Sequence, residues 1–402
     1  MIQSSCLLIM KMQWDPISQY LKISRSRLDM KTAKVLSTAA LTIVFSTLAT
    51  LPAMAAEQPV SPKAEQSIQN SLPNVAILAT GGTIASKGAG ALALTDYGVG
   101  AGQKPVGVQQ LVDAVPEIQK FANISGEQVF NIGSSKLSTQ DWLKLAKRVN
   151  ELLKSPSVDG IVITHGTDTL EETAYFLNLV TKSNKPVVLV ASMRPATALS
   201  ADGPLNLVNA VALAASKAAK DKGVMVVMND QISPAFGVTK TNSTNVATFK
   251  CPDTGYMGYM QNNVPYFVSS PTKKHTVNTE FDISKLDALP RVEVNYVVLG
   301  SDGKLVDAMV KNGAKGIINA GVGHANMPND VNKSLAEAVK QGVVVVAGSR
   351  VGSGMITPLN KFTKEGYVTA MMHNPQKARI LLMLALTKTQ DPKEIQRMFN
   401  EY

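Results

Sequence analysis

The chain has 402 residues, 45% of them apolar, enough for a large core and for two domains. Its formal charge of +10 invites a nucleic-acid reading, but residues 1–55 alone hold +4 of it and leave +6 for the rest. No basic run with interleaved aromatics stands in that remainder, so a solvated, mildly basic surface is expected and a nucleic-acid partner is not.

The N-terminus reads as a targeting segment. Met30–Lys34 is short and positive, Val35–Leu51 is apolar, and Ala53-Met54-Ala55 fits the small-x-small cleavage rule. A signal peptide over 30–55, a cut after Ala55 and a periplasmic location are expected, with no membrane attachment after cleavage. Residues 1–29 sit in front of a complete signal and read as an over-extended start, with translation beginning at Met30. Residues 56–71, rich in Gln, Ser, Pro and Ala, read as a flexible leader. Cys6 leaves with the signal, so Cys251 remains alone and no intrachain disulfide can form. In its Lys-Cys-Pro loop, with no neighbouring histidine, Cys251 is a bystander thiol.

From Pro73 strands and helices alternate. Strand-like runs fall at 75–80, 128–132, 160–164, 186–191 and 224–228. Helix-like segments fall at 107–114, 139–154, 169–182 and 204–219, with Ser138 placed to cap the second. The runs GIVI and VAIL are continuous aliphatic strands of the kind covered on both faces. The order predicts an α/β fold of two domains. The larger N-terminal one, 72–268, holds a mostly parallel sheet flanked by helices. Residues 269–290 break the periodicity and read as an interdomain linker. A smaller C-terminal α/β domain, 291–402, follows. Its strands are expected near 292–298, 316–319 and 343–347, and its helices near 304–312, 331–341 and 375–388.

Two Thr/Gly clusters carry the chemistry. Ala79-Thr80-Gly81-Gly82-Thr83 follows the first strand, and His165-Gly166-Thr167-Asp168-Thr169 follows the third. Open α/β sheets build their sites at the carboxyl ends of such strands. Successive glycines let backbone N–H groups approach a ligand, and a hydroxyl beside them is the minimum for acyl transfer through an oxyanion. A plain tight turn remains open for the first cluster. A nucleotide turn is disfavoured, because G-x-G-x-x-G and the Walker lysine are both absent. In the second cluster a lysine can polarise Thr167 while Asp168 holds an ammonium, and Lys240 is a candidate. His165 reads as a structural hydrogen-bonder more than as a general base. Four scattered histidines without HxH or HxxxH spacing give no expectation of a metal, and no cofactor motif is present.

ATGGTIAS (79–86) and GIVITHGTDTLEETAYF (160–176) closely resemble the signature segments of bacterial type II L-asparaginases and the related glutaminase-asparaginases. The similarity continues collinearly through SMRP (192–195), SADGPLNL (200–207), VTKTN (238–242), AGVG (320–323) and NPQKARILL (374–382). It covers essentially Leu72 to Tyr402.

The resemblance implies roles. Thr83 matches the nucleophile that forms an acyl-enzyme ester, and Tyr97 the tyrosine of a mobile loop that assists it. Thr167, Asp168 and Lys240 match a second, buried Thr-Asp-Lys set. Ser134 and Asp168 match the clamp on the α-carboxylate and α-ammonium. Ser135 sits where the family varies, and Asn326 resembles a polar residue reaching across a subunit interface. Homotetramers built as dimers of dimers are implied.

Two departures stand out. The glutamate that a neighbouring subunit usually supplies has no counterpart in 351–373, which is about two residues short and whose only acid is Glu365. The disulfide of some members is missing, with Ser183 in the matching region. The implied reaction is hydrolysis of L-asparagine to L-aspartate and ammonia. Use of L-glutamine as well is the alternative, and a non-catalytic amino-acid-binding protein a remote one.

Overall fold

A computed structural model describes residues 72–402. The expected over-extended start, signal peptide and flexible leader therefore lie outside the described residues. Among the described residues no helix is long and apolar enough to cross a membrane.

The first part of the chain builds an eight-stranded sheet. Its parallel portion comprises β1 (Asn74–Ala79), β2 (Asn123–Gln128), β3 (Gly160–Thr164), β4 (Val187–Val190) and β5 (Val224–Met228). Helices α1 (Val108–Asp113), α2 (Thr139–Lys154), α3 (Leu170–Val180) and α4 (Gly203–Ala215) cover it. Strand side chains alternate between faces, and the two cores follow that alternation. Ala76 and Leu78 of β1 join Ile161 and Ile163 in a core under α2 and α3, whereas Val75 and Ile77 join Val162 in a second core under α4. The α2 start is a reciprocal cap: Ser138 Oγ accepts from Asp141 N at 3.3 Å, and Asp141 Oδ2 accepts from Ser138 N at 2.8 Å.

The strand expected at 128–132 is displaced. β2 occupies Asn123–Gln128, an edge strand paired with β1 from Asn74↔Asn123 to Ala79↔Gln128. The apolar Val129-Phe130 that suggested a strand instead curls over the end of β1, both amides donating to Ala79 O at 2.9 and 3.2 Å. An edge strand open on one side needs no continuous apolar run.

Past β5 the sheet turns antiparallel through β6 (Gln231–Pro234). A two-stranded ribbon follows, β7 (Thr239–Lys240) against β8 (Phe249–Lys250). β9 (Gly258–Gln261) and β10 (Val264–Phe267) then complete the edge. The C-terminal part forms a separate, parallel four-stranded sheet in the order β11 (Val292–Tyr296), β12 (Gly316–Gly321), β13 (Val344–Ser349) and β14 (Val368–Thr369). Helices α5 (Lys304–Lys311) and α6 (Asn329–Lys340) pack on one face. A short turn, α7 (Asn360–Thr363), leads to α8 (Pro375–Ala385) and α9 (Pro392–Glu401).

The core under α2 and α3 runs on without interruption into α8 and the facing side of the small sheet, including Val292, Ile318, Val346, Leu381 and Leu384. In this seam His373 donates from Nδ1 to Ala370 O at 2.9 Å and accepts from Tyr175 OH at 2.7 Å on Nε2. Burial pushes its pKa down to about 3.

Candidate active site

After β1 the chain crosses to β2 on one side, and after β3 it crosses to β4 on the other. The carboxyl ends of β1 and β3 therefore flank a topological switch point, where open α/β sheets leave a crevice. The two Thr/Gly clusters emerge there side by side, with Thr80 N donating to Thr164 O at 3.0 Å.

Glycine is required for the clusters to approach. Gly82 has φ 86°, and a Cβ there would collide with the Gly166 backbone. A Cβ on Gly166 would in turn stand 2.6 Å from Ser134 Oγ. Three loops, from the ends of β1, β2 and β3, thus meet through backbone and one serine. They line a cleft of about 290 Å³ together with the segment Tyr97–Gly100.

Thr83 opens the short 3-10 turn Thr83–Ala85 and is only 8% exposed. Its Oγ1 lies 2.9 Å from Tyr97 OH, either hydroxyl being able to donate. The loop that carries Tyr97 is fastened at its base: Gly88 pairs with Tyr97 as an isolated bridge, and Gly88 N donates to Thr197 Oγ1 at 2.8 Å. Its tip is solvent-exposed, with Leu92 82% accessible.

On the other wall of the cleft stand Thr167 and Asp168, and Lys240 Nζ donates to Thr167 Oγ1 at 3.0 Å and to Asp168 Oδ1 at 2.8 Å. An ammonium only donates, so Thr167 receives one of these bonds on its oxygen and keeps its own O–H free to donate. The Asp168 side chain remains 62% exposed while that of Lys240 is 16% exposed. The pair therefore presents a carboxylate to solvent and screens its cation. A second cavity of about 400 Å³ lies on the other side of Tyr97, Thr167 and Asp168 and is lined by Lys240, Arg194 and Thr244.

Ser134 is buried, 4% exposed. Its Oγ accepts from Thr169 N at 3.4 Å and its carbonyl from Thr169 Oγ1 at 3.0 Å. Ser135, one residue on, points away: it is exposed and does not line the cleft. Adjacent residues of the 3-10 turn Ser134–Lys136 point about 120° apart, so Ser134 faces the cleft and Ser135 does not. Asn326 lies on the β12 side of the small sheet, outside the cleft of its own chain, and its Oδ1 accepts from Lys361 Nζ at 2.7 Å. Glu365 also stands outside the cleft, 4.0 Å from Lys364.

His165 is fully buried and donates from Nδ1 to Gly166 O at 2.7 Å, while Nε2 has no partner among the described residues. Burial pushes its pKa down to about 4, so the ring is a neutral brace for the Gly166 turn. Cys251 is buried, and burial raises its thiol pKa, as an unreactive thiol requires.

Asn131, Gly133, Val99 and Pro105 line the cleft without having been nominated from sequence. Glu171 was also missed, although its carboxylate accepts from the backbone N of Lys240 at 3.4 Å. Its place one turn after Thr167-Asp168 was the available signal.

A family model described as "Asparaginase, N-terminal" matches residues 74–273, and "Glutaminase/Asparaginase C-terminal domain" matches 291–399. The chain is 51% identical to L-asparaginase 2 of Bacillus subtilis over 84% of its length and 89% of the relative's. It is 48% identical to a glutaminase-asparaginase of Pseudomonas fluorescens over 86% of its length and 95% of that protein's. A solved structure of a probable cytoplasmic L-asparaginase from Campylobacter jejuni superimposes with a TM-score of 0.79 at 48% identity, covering 82% of this chain and 100% of that one.

The expected periplasmic location is corrected by this last match. The same fold, at nearly half identity and over the whole of the solved chain, belongs to a protein described as cytoplasmic, so the fold carries no export address. The segment behind the expectation lies outside the described residues. With both of its sheets matched by the two family models and by relatives over most of their length, the chain belongs to the asparaginase family of amidohydrolases.

Proposed function

We propose that this enzyme hydrolyses the side-chain amide of L-asparagine through an ester on Thr83. The observation that carries the reading is that Thr83 and Thr167-Asp168, from two neighbouring strand ends, open onto one small cleft, with Lys240 bonded to Thr167 and Asp168 from the adjoining cavity. Asp168 takes the substrate α-ammonium and Ser134 the α-carboxylate. Thr83 Oγ1 attacks the amide carbon, and Tyr97, 2.9 Å away, relays its proton. The leaving nitrogen takes up a proton and departs as ammonia. Water then attacks the ester, freeing aspartate and restoring the Thr83 hydroxyl. The free O–H of Thr167, polarised by Lys240, serves the site opposite Thr83.

Use of L-glutamine is the second reading. It is favoured by the glutaminase-asparaginase relatives. One extra methylene discriminates by only about 1–3 kcal/mol, so both amides fall within reach of the same chemistry.

A homotetramer built as a dimer of dimers belongs to the same proposal. Its support is the apolar edge at the carboxyl ends of the small sheet, where Tyr296, Leu299, Val351 and Met355 are 56%, 103%, 50% and 45% exposed. Asn326 lies on that edge, placed to reach another chain's cleft.

Ammonia release from asparagine and glutamine, measured side by side on the parent and on Thr83→Ala, is the test. The variant should lose turnover on both amides while remaining folded. Near-parental release from Thr83→Ala would overturn the reading.

A further inference from the structure

The Glu171 carboxylate is held in the seam between the two sheets, its side chain 7% exposed and that of Lys377 only 3%. Their charged atoms are 3.9 Å apart. Glu171 comes from the first turn of α3, immediately after the Thr167-Asp168 loop, and Lys377 from the first turn of α8.

Both members grip the same stretch of backbone. Glu171 Oε1 accepts from Thr239 Oγ1 at 3.1 Å and from Lys240 N at 3.4 Å. Lys377 Nζ donates to Phe236 O at 2.8 Å and also to Val238 O. Glu171 is tied to α8 as well, with Asn374 Nδ2 donating to Oε2 at 3.1 Å and Gln376 Nε2 to Oε1 at 3.3 Å.

A buried ion pair is poor evidence for stability in itself, because desolvation offsets the Coulombic attraction. What this pair fixes is geometry. Lys240 lies in a two-residue strand, β7, whose ladder partner among the described residues is the equally short β8. Such a ribbon sets its own position weakly. The Lys240 ammonium must nevertheless reach Thr167 and Asp168 together, at 3.0 and 2.8 Å.

We propose that Glu171 and Lys377 are positioning residues that fix residues 236–240, and thereby set the Lys240 ammonium against Thr167. The C-terminal domain thus takes part in its own chain's active site through α8, without touching substrate. The inference rests on the reading that Lys240 acts through Thr167.

The test combines steady-state ammonia release with circular dichroism and thermal unfolding on Glu171→Ala, Glu171→Gln and the double variant Glu171→Leu/Lys377→Met. Displacing a catalytic group by about 1 Å costs on the order of 100-fold. Glu171→Ala is therefore expected to lose about 10- to 100-fold in kcat with KM within about twofold of the parent. Glu171→Gln keeps an acceptor oxygen for Thr239 and Lys240 and should recover to within about fivefold of the parent.

The double variant leaves no buried charge unpaired and should fold while showing the same kcat loss. A folded Glu171→Ala or double variant turning over within about twofold of the parent overturns the inference. So does an equal loss in Glu171→Ala and Glu171→Gln, which would mark a purely structural charge. Lys240→Met separates the two levels: if it keeps its turnover the reading of Lys240 falls, whereas lost turnover in Lys240→Met beside normal Glu171 variants removes only the positioning role.

Discussion

Thr83 Oγ1 and Tyr97 OH stand 2.9 Å apart although one belongs to the first sheet strand's end and the other to an exposed, Gly/Ala-rich loop. The contact joins a buried hydroxyl at the end of β1 to a loop whose tip is exposed. Thr83 sits in the turn after β1, while the loop of Tyr97 is tied by the Gly88–Tyr97 bridge, by the bond from Gly88 N to Thr197 and by Leu199 N donating to Ala91 O at 2.8 Å.

Removing only the phenolic oxygen isolates that contact. In Tyr97→Phe the ring and the loop anchors remain, and the proposed proton relay is lost. General acid–base groups contribute about 10²–10⁴-fold, so kcat should fall by about 100-fold or more with KM changed far less. Steady-state ammonia release checks this, and a kcat within a few-fold of the parent would exclude a proton-transfer role for Tyr97.

Lys240→Met deletes the ammonium but keeps a long apolar side chain. Asp168 is too exposed for its ion pair to stabilise the fold by more than about 1 kcal/mol, so the variant should unfold near the parental temperature. Turnover should drop by about 100-fold or more, because Thr167 loses its donor. A calorimetric scan beside the kinetic assay separates the two effects. A large loss of thermal stability would show that the lysine is structural.

Gly82→Ala tests the approach of the two clusters. The new methyl meets the Gly166 backbone, and a φ of 86° is unfavourable for any residue with a Cβ. The loop after β1 must shift, moving Thr83 with it. The expected result is loss of turnover by about 100-fold together with a lowered unfolding temperature. Parental activity in a folded Gly82→Ala protein would mean that the close approach of the clusters is dispensable.

Glu172 provides a pH prediction. Burial, then the neighbouring Glu171 carboxylate, raise its pKa from 4.5 to about 7, against the opposing pull of Arg379 and Lys377. Between those values the folded state binds a proton that the unfolded state releases, so this residue's contribution weakens as pH rises from 4.5 to 7. Glu172→Gln removes the titration. It should match the parent below about pH 4.5 and exceed it above about pH 7, by on the order of 3 kcal/mol. Urea unfolding of both proteins at pH 4.5 and 7.5 is the measurement. An equal difference at the two pH values would sink the assignment.

Much of the site was legible because its residues follow continuous aliphatic strands. The runs leading into Thr83 and Thr167 read as buried strands, and α/β sheets place their chemistry at strand ends. Lys240 was nominated from a loop, and it stands in a ribbon too short for any periodicity to reveal. β2 was misplaced by the apolar Val129-Phe130, whose amides cap the end of β1 and whose side chains pack only partly against the core. The antiparallel strands β6, β9 and β10 went unseen, being four residues each with prolines in two of them. Ser135 is expected at the site because it sits where the resembled family varies, whereas the 3-10 turn sends it and Ser134 in different directions. Glu171 and Lys377 could not be paired from sequence at all, since 206 positions separate them and only the docking of α8 on α3 brings them together.

That docking bears on how the enzyme admits its substrate. The apolar core passes from the large sheet into the small one without a break, and the seam also holds the Glu171–Lys377 pair and the Tyr175–His373 bond. Swinging one domain away from the other would expose all of it to water at once. This architecture therefore has no hinge between its halves. The 86–107 loop, which supplies Tyr97–Gly100 to the cleft wall, is then the element whose bending would open the way to Thr83, so entry and exit rates should respond to the stiffness of that glycine-rich segment.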